Sequence, residues 1–124
     1  MSAKSLNQTT GKLGEKIGEE YLKKQGYRIL ERNVRSPFGE IDLVARHKRT
    51  LVFVEIKTRR SSDFGFPEEA VTAEKRSRLV QLARWYLARY QKTELPVRFD
   101  VLAIQFEGEK HSVRLIQNAI EVES

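Results

Sequence analysis

Apolar residues recur at helical spacing between Gly11 and Gln25, where Leu13, Ile17, Tyr21 and Leu22 fall on one side and Gly26 then supplies a stop. A first helix is therefore predicted over residues 11–25. Gly14 and Gly18 lie inside it, and each costs about 1 kcal/mol against alanine in a helix interior. Their placement four apart predicts a face pressed closely on a neighbour. The period then shortens to two. Tyr27 to Asn33 reads as a strand, Ser36-Pro37-Phe38-Gly39 as a turn and Glu40 to Ala45 as a second strand. Arg46 to Thr50 forms a tight basic turn into the most apolar strand, Leu51 to Thr58, which belongs at the centre of a sheet. Ser61 to Pro67 reads as a loop carrying Phe64 and Phe66. A second helix is predicted from Thr72 to Tyr90, with Leu79, Leu82, Ala83, Tyr86, Leu87 and Tyr90 on one face, Thr72 as cap and Glu74 at the positive end of the dipole. Val97 to Phe106 and Ser112 to Gln117 read as strands joined by a turn at Glu107-Gly108-Glu109. The order α-β-β-β-α-β-β describes an α/β fold with a mixed central sheet flanked by helices. The helical crossover between the third and fourth strands permits a parallel pair there.

With 124 residues the chain is the size of one domain, expected over residues 11–124, with the polar, aperiodic stretch Met1 to Thr10 as a flexible tail. The absence of cysteine excludes thiol nucleophiles, disulfides, iron–sulfur clusters and cysteine zinc sites. The two histidines, His47 and His111, lack metal-ligand spacing, and no glycine-rich phosphate loop is present. Twenty-three Lys and Arg against seventeen Asp and Glu leave a net charge of +6, a balance that favours a polyanionic partner, nucleic acid or anionic lipid. The apolar runs are far shorter than a bilayer span and the N-terminus lacks the apolar core of a signal peptide, so no membrane role and a cytoplasmic location are expected.

Candidate chemistry gathers on the second and third strands. Glu40 and Asp42 are two apart, as are Glu55 and Lys57, so each pair shares a face of its strand. Counting back from the turn makes Asp42 and Glu55 approximate cross-strand neighbours. Converging carboxylates repel and raise one another's pKa unless a cation sits between them, and hard oxygen ligands suit Mg²⁺ or Mn²⁺. A lysine beside such an ion can hold or deprotonate an attacking water and offset charge on a phosphodiester in its transition state. The same alternation also describes the solvated face of an ordinary antiparallel sheet. Against that reading, Glu55 and Lys57 continue a strand that should be buried, where unpaired charge is expensive.

The ordered string Gly14-Glu15, Gly26-Tyr27, Asn33-Val34-Arg35, Phe38-Gly39-Glu40-Ile41-Asp42-Leu43, Val52 to Arg59, Phe64-Gly65, Ala70-Val71 and Arg98-Phe99-Asp100-Val101 resembles the YraN-like family of endonucleases, within the restriction-endonuclease-like PD-(D/E)XK superfamily. The resemblance spans nearly the whole chain. It implies an α-β-β-β-α-β core, with Asp42 as the first acid, Glu55 as the second and Lys57 as the lysine. Ile41 stands where the superfamily name has proline, and Gly18 where the family more often has alanine. It also implies that Glu15 on the first helix can lie over the metal. Glu40 is carried as a supporting acid and the Ile56 carbonyl as a third metal ligand. Each has a plain surface alternative: Glu15 as an exposed helix glutamate, Glu40 as a charge beside a turn. Asp100, following Arg98 in an apolar strand, reads as half of a structural ion pair.

Substrate contacts are expected from Arg46, Lys48, Arg49, Arg59 and Arg60 around the third strand. A helical stripe of Arg78, Trp85, Arg89 and Lys92 adds to them. A solvated basic surface explains any one of these equally well. Trp85 suits a stacked base or plain packing, and Phe64 and Phe66 a substrate wedge or a partner subunit. The leading expectation is a divalent-metal-dependent endonuclease on DNA, more than RNA, including structured or branched DNA. The alternatives are a non-catalytic nucleic-acid-binding module and a small structural partner of a larger machine. A homodimer is compatible by analogy with branched-DNA resolvases.

Overall fold

The computed structural model describes residues 3–60, 73–90 and 95–120. Helix α1 (Ala3–Lys24) leads into strands β1 (Tyr27–Ser36), β2 (Gly39–His47) and β3 (Thr50–Arg60). Helix α2 (Ala73–Tyr90) then precedes β4 (Val97–Glu107) and β5 (Lys110–Ile120). The five strands form one sheet in sequence order, with β3 at its centre. β1–β2, β2–β3 and β4–β5 pair antiparallel, while β3–β4, joined through α2, is parallel. This is the mixed sheet and the α-β-β-β-α-β core that the family resemblance implies.

The turns carry the conformations that tight hairpins demand. β2 and β3 are joined by Lys48-Arg49, with Lys48 at φ 57, and β4 and β5 by Gly108-Glu109, with Gly108 at φ 62. Both fall in the left-handed region that two-residue hairpins use.

β2 and β3 each run on by one or two residues, which narrows the Arg46–Thr50 turn to Lys48-Arg49, and three further boundaries differ from the sequence reading. α1 begins at Ala3, inside the stretch assigned to a tail. Nothing between Ala3 and Thr10 interrupts a helix, neither Pro nor Gly, so helical hydrogen bonding extends back from Gly11 although the polar pattern announces nothing. β1 runs to Ser36, through a register shift between Ile29 and Glu31 and a left-handed Asn33 at φ 52. β5 occupies residues 110–120 rather than 112–117, because Lys110 and His111 pair with Glu107 and Phe106, and a register shift between Phe99 and Val101 carries the far end on to Ile120. The predicted loop at Ser61 to Pro67, the Thr72 cap and Lys92 lie outside the described residues.

The sheet separates two cores. On the α1 side Leu22 packs on Val52, Val54, Leu102 and Ile104; on the α2 side Leu79, Leu82 and Tyr86 pack on Val44, Phe53 and Phe99. Leu51 to Val54 are fully buried, as a central strand requires. Full burial of side chains of this size is worth about 1.5–3 kcal/mol each. α1 lies tight against the sheet at Gly14 and Gly18: a Cβ on Gly14 would stand 2.4 Å from Thr58 Oγ1, and one on Gly18 2.7 Å from Leu102 Cδ2.

One charged side chain enters the α1-side core. Asp100, 1% exposed, accepts from Arg98 Nε at 2.9 Å, from the Asn118 N–H at 2.9 Å and from the Tyr27 hydroxyl at 2.7 Å. Arg98 also donates to the Tyr27 oxygen and faces His47 Nδ1 at 3.0 Å, while His47 stacks on the Tyr27 ring. Asp100 is thus the structural ion pair that its place beside Arg98 suggests, and the pair joins β1, β2, β4 and β5. His47 belongs to this packing.

Candidate active site

β2 and β3 stay paired only from the hairpin as far as Leu43↔Val54. Beyond that point β3 continues alongside β4, and the Ile56 N–H, which a ladder would have used, donates instead to Asp42 Oδ2 at 2.7 Å. The ladder thus ends one pair short of Asp42 and Glu55, and the two acids, which the register count made same-face neighbours, turn to opposite sides of the sheet. An acid side chain caps the place where the strands separate.

Glu55 and Lys57 project on the α2 side, continuing the face of Phe53. Lys57 Nζ stands 3.1 Å from Glu55 Oε1, and Lys75 Nζ, from the first turn of α2, donates to the same oxygen. Glu55 Oε2 is buried and has no hydrogen-bond partner. Lys75 is absent from the sequence reading. The available signal is periodic: Lys75 precedes Leu79, Leu82 and Tyr86 on the stripe that α2 buries, so it extends that stripe one turn toward the site.

Asp42 and Glu55 line different cavities. A space of about 20 Å³, enough for one water or ion, lies among Asp42, Glu15, Glu19, Arg32 and Ile56 on the α1 side. A larger one of about 210 Å³ lies among Glu55, Glu40, Lys75, Arg78 and Phe38 on the α2 side. The supporting acids divide accordingly, Glu15 beside Asp42 and Glu40 beside Glu55. Both are exposed, and Glu40 pairs loosely with Arg35 Nε at 3.8 Å. Among the described residues no group of three acid or imidazole side chains converges as a metal cluster.

The electrostatics still tie the two sides together. Burial raises the Asp42 carboxyl above the usual range, the Ile56 N–H pulls it back, and the charges of Glu55, Glu15 and Glu40 raise it further. Burial also acts on both lysines. For Lys57, the bond with Lys75 and the charges of Glu55 and Asp42 outweigh it, and the ammonium is held above its ordinary pKa. For the more enclosed Lys75, burial and the neighbouring Lys57 prevail over Glu55, and its pKa falls.

The donor set fits a divalent cation on two counts: a buried Glu55 oxygen lacks any partner, and Asp42 is held protonation-prone first by burial and then by the charges of Glu55, Glu15 and Glu40, which a cation would offset.

The expected substrate-binding residues are dispersed. Arg78 is exposed and lines the α2-side cavity. Arg59 and Arg60 follow Lys57 toward the end of β3. Arg46, Lys48 and Arg49 occupy the hairpin at its other end, about 17 Å from Glu55 along the strand. Trp85 packs partly into the α2-side core with the Arg89 guanidinium 5.3 Å over its ring. Phe64 and Phe66 fall outside the described residues, and among those described no helix is long and apolar enough to cross a membrane.

Comparison with known proteins adds a lineage. A UPF0102 protein of Syntrophotalea carbinolica is 47% identical over 113 residues, 91% of this chain and 92% of its own length. Another, of Syntrophus aciditrophicus, is 44% identical over 116 residues, 94% of this chain and 91% of its own. Among solved structures, Hjc of Archaeoglobus fulgidus, a Holliday junction resolvase, aligns with a TM-score of 0.48 at 20% identity, covering 83% of this chain and 72% of that one. The profile described as "Uncharacterised protein family UPF0102" matches residues 14–104. From α1 through β4, and by close relatives along nearly its whole length, the chain belongs to UPF0102, the YraN-like family its motif string resembles.

Proposed function

We propose that the chain is a divalent-metal-dependent endonuclease that hydrolyses phosphodiester bonds of DNA, structured or branched DNA included. The observation that carries this reading is the Glu55 carboxylate, whose Oε1 is shared by two lysines and whose Oε2 is buried without a partner, beside the point where Asp42 caps the separating strands. Asp42, Glu55 and the Ile56 carbonyl would hold Mg²⁺ or Mn²⁺. A cation there supplies Lewis-acid charge opposite a phosphoryl group. Lys57, kept protonated, donates from Nζ to a phosphate oxygen or to the attacking water and offsets negative charge as it grows. Lys75, on the same carboxylate, becomes available for the same phosphate when Glu55 turns to another partner.

A second reading, a nucleic-acid-binding module without catalysis, is favoured by one feature: Glu55 Oε1 is already neutralised by two ammonium groups. Incubation with duplex, single-stranded and four-way DNA in Mg²⁺ or Mn²⁺ separates the two. Cleavage by the wild type that falls about 10²- to 10³-fold in Lys57→Ala supports the nuclease. Equal behaviour of wild type and variant, with binding retained, supports the module.

A further inference from the structure

The cavity beside Glu55 is larger than a metal site requires. About 210 Å³ lies between the β1–β2 turn and the start of α2, the bulk of some seven waters at about 30 Å³ each, or of one flat heterocycle. Leu79 and Leu82 give it an apolar floor, while Glu40 and Glu55 offer carboxylate acceptors. Phe38 stands on the rim, one of three large apolar side chains left substantially exposed among the described residues.

The turn that displays this ring is braced. The Phe38 N–H donates to Ser36 Oγ at 3.1 Å, the Ser36 hydroxyl donates to the Gly39 carbonyl at 2.9 Å, and Gly39 takes a φ of 128° that only glycine adopts readily. With no side chain of its own, Gly39 leaves the aliphatic stem of Arg78 close by. An exposed ring on a stiff turn loses little freedom when it gains a partner.

We propose that this cavity is a base subsite: it receives one unpaired nucleobase, Phe38 stacking on its face and Arg78 meeting an adjoining phosphate, so that favoured substrates carry an unpaired nucleotide beside the cleaved bond. The inference rests on the nuclease reading and names its substrate class. Every base offers a π-face to an aromatic ring, and exocyclic amino groups donate to carboxylates. A base inside a duplex is stacked on both faces and must first be extruded, which costs least when it is already unpaired.

The test is binding in EDTA, where hydrolysis plays no part. Two duplexes of one sequence are compared, one fully paired and one with a single bulged 2-aminopurine. The wild type should bind the bulged duplex about tenfold more tightly and change its emission. Phe38→Ala should lose both effects, and Phe38→Trp should keep them. Arg78→Ala should weaken both duplexes alike and lower the salt slope by about one. Equal wild-type affinities, or a preference that survives in Phe38→Ala, overturn the subsite; if metal-dependent cleavage persists, the nuclease reading stands without it. A preference with no cleavage in any metal keeps the subsite and overturns the nuclease. No binding to either duplex overturns both.

Discussion

Two ammonium groups sharing one oxygen of Glu55 make an arrangement that a cation or a phosphate can rearrange, since either competes for the same charges. Lys75, from a separate helix, can leave without moving β3. The other buried polar group behaves differently. Asp100, Arg98 and Tyr27 satisfy one another and face no cavity that the chemistry uses. Burial, with the bond to Asp100, lifts the Tyr27 hydroxyl to about 12 from its ordinary 10.0. The folded value is the higher one, so its contribution to stability is whole below pH 10 and is lost as pH rises toward 12, where the unfolded chain ionises first. Phenolate absorbance should therefore show Tyr27 ionising late, and Tyr86, also raised by burial and by Glu31, should be late too. Tyr27→Phe should remove one late step and flatten the alkaline loss of stability. An early, complete titration of all four tyrosines would contradict the network.

At the scale of the elements, Gly14 and Gly18 of α1 set how near the helix lies to β3 and β4. A methyl on Gly14 would meet the branched Thr58, while one on Gly18 would crowd the tip of Leu102 and make ordinary contact with the ends of Ile104 and Ile56. Overpacking typically costs 1–3 kcal/mol and the gain in helix propensity returns about 1. Gly14→Ala should therefore lose about 1–2 kcal/mol in urea unfolding, Gly18→Ala should be close to neutral, and Thr58→Ala should relieve the first. This approach was legible from the glycine spacing alone, because a helix carries such a cost only where something needs the room. All five strands were legible too, from period-two runs between turn residues, as was the parallel crossover. The bulge after Ile29 and the left-handed Asn33 were not, since they answer to strand pairing and leave no local signal. Counting from a hairpin brought Asp42 and Glu55 to the same level of the sheet but not their turn to opposite faces, because the ladder stops before them. Lys75 could not be placed so, because its partner lies across a long connection and depends on where α2 docks.

For the whole molecule, residues 46–60, β3 with its hairpin, carry six Lys or Arg and one Glu, a local +5 in a chain of net +6. A separation of about 17 Å between that hairpin and Glu55 is half the rise of one duplex turn, so backbone phosphates can be met at both places. Replacing Arg46, Lys48 and Arg49 by alanine should lower the slope of log affinity against log salt by up to about three, while leaving the turnover of saturated enzyme near the wild-type value. An unchanged slope would move the binding surface elsewhere. Finally, because the ladder between β2 and β3 stops at Leu43 and Val54, the amide of Ile56 is shielded by a side chain alone. Its exchange with deuterium is then a substrate-free gauge of where Asp42 is engaged: slow while the carboxylate holds it, fast in Asp42→Ala, and altered by any ion that draws the acid away, with the neighbouring amides of Val52 and Val54 as unmoving controls.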